Sequence, residues 1–173
     1  MKKRDCAEEL CSLIREGTSP FHAVSVAERR LREQRFESLS LKRSWQLEKG
    51  GRYYVSVGES TLFAFTVGDS WNGQEGFRIA AAHTDFPGLR VKQHAEMIRG
   101  NYGQLNVEVY GGAILNTWLD RPLSVSGRVA LKSDDVFRPQ TRLVDLKKPY
   151  FIIPNLAIHL NREVNKGTEL NRQ

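Results

Sequence analysis

Residues 77–92 read "FRIAAAHTDFPGLRVK", an apolar run that ends in a histidine, a threonine and an aspartate before a Pro-Gly turn. After Arg78 the run has no polar alternation, the pattern of a central strand covered on both faces in an α/β layer. In such layers ligands gather at the carboxyl ends of the strands. His83 and Asp85 stand at that position. In an extended backbone, residues i and i+2 share a side, so the carboxylate can take a hydrogen bond from one ring nitrogen and leave the other for a metal. Taken bare, the triplet is a weak signal, because a histidine and an aspartate at a strand end more often bond local backbone.

The first part of the chain reads as helical. Ala7, Leu10, Cys11 and Ile14 follow the i, i+3, i+4, i+7 stripe, and Gly17 ends it. Ser19 then offers an N-cap with Pro20 at the first helical position, and Val24, Ala27 and Leu31 form the buried stripe of a second helix. From Arg52 the runs "RYYVSV", "TLFAFTV" and "FRIAAAH" read as strands. Beyond "FPGLRVK" the character shifts to the edge-like strands "QLNVEVYG", "LSVSGRVAL", "TRLVDL" and "YFIIP". The expectation is an α/β domain over 1–90 and a β-rich one over 91–173, with the change of composition near residues 89–100.

The 173 residues, 40% hydrophobic and 27% charged, are those of a folded chain with a packed core. No apolar stretch is long enough to span a bilayer, and the charged start lacks a signal peptide's apolar centre, so a cytoplasmic protein without membrane contact is expected. Cys6 and Cys11, five apart on one helix, face different ways and read as reduced thiols. The net charge of +6 invites nucleic acid or an acidic substrate as partner. Against nucleic acid, the densest basic cluster, "ERRLREQR" at 28–35, is interleaved with Glu28 and Glu33 as on a solvated helix face, and no basic and aromatic alternation appears. Gly111 and Gly112 lack the rest of a phosphate-loop motif and read as a bulge or tight bend.

Three stretches, "AAHTDFPGLRVK", "VEVYGGAILNTWLDRPLSVSGRV" and "IPNLAIHLNREVNKG", resemble the aspartyl aminopeptidase family of zinc metallopeptidases in order and separation. With weaker likeness in "TSPFHAV" and "GGRYYV", the resemblance covers the chain from about residue 18. It implies the N-terminal portion of an α/β/α catalytic domain that carries two zinc ions, or other divalent metals. A β-rich dimerisation domain interrupts that domain and builds homo-oligomers up to a dodecamer. It also implies a peptide substrate with an acidic N-terminus. Carried over by position, His83 resembles a zinc ligand, Asp85 the carboxylate that orients it, and His159 a histidine that reaches a neighbouring subunit's site as metal or substrate contact.

The family's bridging aspartate and glutamate base lie C-terminal to Gln173, so this portion is expected to be inactive alone and to need a complementary C-terminal polypeptide. The alternative is a non-catalytic assembly or regulatory module that keeps the subunit-pairing surface. Asp120 falls outside the family's ligand motif and reads as structural, for example paired with Arg121 or Arg128. Two positions depart from the family pattern: Phe86 stands where a serine is usual, and Pro122 where an acidic residue is usual.

Overall fold

The computed structural model describes residues 3–135, 137 and 139–167. In chain order the elements are helices α1 (Lys3–Glu16) and α2 (Pro20–Glu33), then strands β1 (Glu37–Ser38), β2 (Arg52–Val57), β3 (Thr61–Thr66), β4 (Gly88–Arg99), β5 (Tyr102–Tyr110), β6 (Ser126–Leu131) and β7 (Gln140–Asp145). The fold is mixed α/β, as the sequence pattern predicts. Two compact units form: Met1–Asp85 with Ser126–Asp145, and Phe86–Val125 with Leu146–Gln173. The chain thus leaves the first unit just before Phe86, a few residues ahead of the composition change, and returns to it for β6 and β7.

In the first unit α2 begins as its sequence dictates. Ser19 is extended (φ −151°, ψ 167°) and its Oγ accepts the His22 N–H at 3.3 Å. Such a cap contributes about 1 kcal/mol. Pro20 occupies the first turn, where its missing N–H costs nothing. Arg30 and Arg32 sit in the last turn, where cations complement the helix dipole. Val24 and Val26 are buried, while Ala27 and Leu31 are half-buried, because α2 packs on β2, β3 and β6 at once.

β2 is the centre of a three-stranded sheet, parallel to β1 and antiparallel to β3. Tyr53, Tyr54 and Val55 are buried in succession, so both faces of β2 are covered. The two phenol groups keep partners: Tyr53 Oη accepts the Glu48 N–H at 3.0 Å, and Tyr54 Oη accepts from Arg32 Nη1 at 3.2 Å. β6 and β7 form a separate antiparallel ladder from Ser126↔Asp145 to Leu131↔Gln140. Ser126 Oγ donates to the Thr18 carbonyl at 2.7 Å, just before α2.

In the second unit β4 and β5 make a long hairpin, closed by a two-residue turn at Gly100 and Asn101. Its register shifts between Val91 and Glu96, where residues 92–95 face Asn106 alone. His94 takes a positive φ there and Ala95 is buried. Gly111 also has positive φ, which favours glycine at the expected tight bend, and a Cβ on it would lie 3.3 Å from Pro87 Cα, a tight contact.

Three expectations change. Residues 77–82 form no strand, and Phe77 and Ile79 are 85% and 80% exposed. A strand is defined by its partners, and among the described residues none pairs with this run. "YFIIP" contributes one bridge, Phe151 to Leu123, in place of a strand. The apolar stripe of α1 is uncovered, with Leu10 and Ile14 exposed. Besides these, the turn read at 86–88 ends earlier than expected, since Gly88 is already the first residue of the twelve-residue β4.

Asp120 is structural as expected, through other contacts. Its Oδ1 accepts the Asn155 N–H at 2.9 Å, and its own N–H donates to the Ile153 carbonyl at 2.9 Å. Arg128 pairs with Glu59 at 3.0 Å.

Candidate metal-binding site

His83 and Asp85 lie on the irregular segment that follows β3 in the first unit. The chain bends at Thr84, and the bend brings the two side chains together. His83 Nδ1 lies 2.6 Å from the Asp85 carbonyl oxygen and 3.3 Å from Asp85 Oδ1. A carbonyl oxygen can only accept, so this contact puts the proton on Nδ1. The neutral ring then carries its lone pair on Nε2, the form in which an imidazole ligates a metal. The His83 side chain is 80% exposed, and that of Asp85 38%. The backbone carbonyl lies closer to the ring than the carboxylate does, a contribution that the His-x-Asp spacing alone does not predict.

Thr84, between them, fastens the bend. Its Oγ1 donates to the Ser60 carbonyl at 2.8 Å, in the turn joining β2 to β3. Glu59 of the same turn accepts from Arg128 Nη1 at 3.0 Å and from Thr141 Oγ1 at 3.3 Å. Neither link has a local sequence signature, since the bonded residues stand 24 to 82 positions apart.

His159 lies in the second unit, exposed, in a turn where the Leu160 N–H donates to the Ala157 carbonyl at 2.8 Å. His22 is taken up by the cap, with Nδ1 2.7 Å from Ser19 Oγ, and His94 sits on the β4 irregularity. Among the described residues no group of three or more His, Cys, Asp or Glu side chains could hold a metal ion. A zinc site usually has three or four protein ligands, and His83 is the candidate for one of them. Cys6 and Cys11 are free thiols and exposed. No helix among the described residues is long and apolar enough to cross a membrane.

The profile of the aminopeptidase I zinc metalloprotease (M18) family matches residues 13–173. A probable M18 family aminopeptidase 2 of Clostridium novyi is 48% identical over 168 residues, 96% of this chain and 39% of that protein. Its counterpart in Pseudomonas fluorescens is 44% identical, over 95% of this chain and 38% of that one. The chain thus spans about two-fifths of the length of these curated relatives. Among solved structures, a chain of the Ape4 and Nbr1 complex superposes with a TM-score of 0.92 at 36% identity, covering 97% of this chain and 32% of that one. The mApe1 dodecamer of S. cerevisiae does so with a TM-score of 0.80 at 31% identity, covering 90% and 36%.

Proposed function

Because the chain belongs to the aminopeptidase I (M18) family of zinc metalloproteases, we propose that it forms the N-terminal part of an aminopeptidase that removes acidic residues, Asp or Glu, from peptide N-termini. The observation that carries this reading is the His83 imidazole, held through Nδ1 by Asp85 with Nε2 left to ligate. The acidic preference rests on the resemblance to aspartyl aminopeptidases, and a chain of net charge +6 favours the approach of acidic peptides.

In this reading His83 supplies one neutral nitrogen to the metal, and Asp85 keeps the ring in the right tautomer and orientation. A bound zinc would lower the pKa of a coordinated water toward neutrality and would itself polarise the scissile carbonyl. The remaining ligands and the general base come from the part of the relatives' length that this chain does not match. His159 contacts metal or substrate in a neighbouring subunit, within a dimer-based oligomer that extends to a dodecamer. The 173 residues alone are silent, since one imidazole cannot close a tetrahedral site.

The test is reconstitution. The chain is assayed for aspartate release from an Asp-peptide, alone and with the C-terminal remainder of the Clostridium novyi relative. Silence alone and Asp release after complementation, lost in His83→Ala, are the expected results. Release by the chain alone, or full activity of complemented His83→Ala, would overturn the reading. A complemented assembly that forms oligomers without peptidase activity would favour the assembly module instead.

A further inference from the structure

The residue between the two members of the pair carries a role of its own. Residues 77–82 have no strand ladder to fix them, so the orientation of the exposed His83 ring depends on local attachments. Thr84 provides one, through its 2.8 Å bond to the Ser60 carbonyl. The receiving turn is itself held by further bonds. Arg128 Nη1 donates to the Gly58 carbonyl and to Glu59 Oε2, each at 3.0 Å, while its guanidinium lies 4.3 Å over the Phe21 ring of α2. Thr141 Oγ1 adds a second donor to Glu59. Gly58 and Glu59 both take φ near +60°, so this turn has a defined geometry that a loose loop lacks.

We propose that Thr84 is a positioning residue for the metal ligand: bonded to the β2–β3 turn, which Arg128 clamps, it sets the bend that turns His83 Nδ1 onto the Asp85 carbonyl and presents Nε2. The proposal rests on the reading of His83 as a zinc ligand, and it adds the group that holds His83 in the ligating form. Removing the Thr84 hydroxyl frees the bend, and a freed bend lets the ring exchange its Nδ1 bond for others and mix its tautomers. Groups that orient a metal-bound histidine from outside typically change metal affinity by about 10- to 100-fold. Thr84 acts one step further out, so the lower end of that range applies.

The experiment uses the full 173-residue chain, with Thr84→Val to remove the donor at constant shape and Thr84→Ser to retain it. Imidazole nitrogen shifts at pH 8 report the His83 tautomer in the chain alone, and titration with Zn²⁺ after complementation with the C-terminal remainder of the Clostridium novyi relative reports affinity. The expected result is one dominant Nδ1–H tautomer in the parent and in Thr84→Ser. In Thr84→Val the tautomers mix and zinc binding weakens about tenfold. Parent-like tautomer and affinity in Thr84→Val would overturn the proposal. Should that variant lose its fold, Glu59→Ala, which leaves Thr84 intact and loosens the turn, must shift the tautomer the same way, and an unchanged ratio there is equally fatal. Zinc affinity that is identical in the parent and in His83→Ala would sink the metal reading, while the tautomer ratio would still decide the role of Thr84.

Discussion

Glu16, at the end of α1, shows how much a single ion pair reports about pH. Its carboxylate accepts from Arg29 of α2 and from Ser12 one turn back, and these bonds, the Arg29 bond foremost, hold its pKa below the ordinary carboxylate range. A group whose folded pKa is depressed adds stability that is present above its unfolded pKa and fades as the pH falls through the folded one. In Glu16→Gln, urea midpoints should therefore lie below those of the parent at pH 7. The gap should begin to close near pH 4, where free carboxylates protonate, and vanish once Glu16 itself is protonated. A gap that stays constant down to pH 2 would contradict this. The pair is solvent-exposed, so the gap is small. At this scale the sequence is legible where chemistry is local: Ser19 and Pro20 announce the start of α2 because cap and capped amide are three residues apart. Asp120 was legible as structural but not in its partner, since Asn155 lies 35 positions on and bonds through its backbone, which carries no residue-type signal.

Among the elements, periodicity identified α1, α2, β2, β3 and β5 because each pattern is internal to the segment. It failed at residues 77–82, where an apolar run records only a demand for burial. Whether that demand is met by a sheet depends on neighbouring strands that no local pattern encodes. The failure at β4 is the converse: Pro87 and Gly88 read as punctuation, although proline just before a strand blocks no ladder bond inside it. These assignments separate in hydrogen exchange. Amides of 77–82 should exchange at rates close to those of an unstructured peptide, and those of Tyr53–Val55 should be the slowest in the first unit. Strong protection across 77–82 in the isolated chain would mean that the run finds a strand partner after all.

Across the described residues of the whole chain, Phe77, Ile79, Leu10, Ile14 and Leu160 stand as large apolar side chains in water, a surface that calls for covering. Sedimentation of the 173-residue chain should show mass rising with concentration, and a single monomeric species at the highest concentration would contradict it. The candidate site was legible in part: the His-x-Asp spacing predicted that the pair would be close, but the closeness comes from the bend at Thr84 and not from an extended strand, and the Thr84 bond to Ser60 and the Arg128 clamp arise from folding distant segments together. The family was legible because three long motifs stand in register, a specificity that no single triplet has.

The first unit is discontinuous, with Ser126 bonded to Thr18 across 108 positions. Bringing such distant ends together costs on the order of 4 kcal/mol of chain entropy. Vectorial synthesis sharpens the point. At roughly 5–20 residues per second, the sixty or so residues from Asp85 to Asp145 take several seconds to emerge from the ribosome. During that interval α2 waits without the late hairpin that will pack on it, so the nascent chain has a built-in pause between forming its first sheet and finishing the unit.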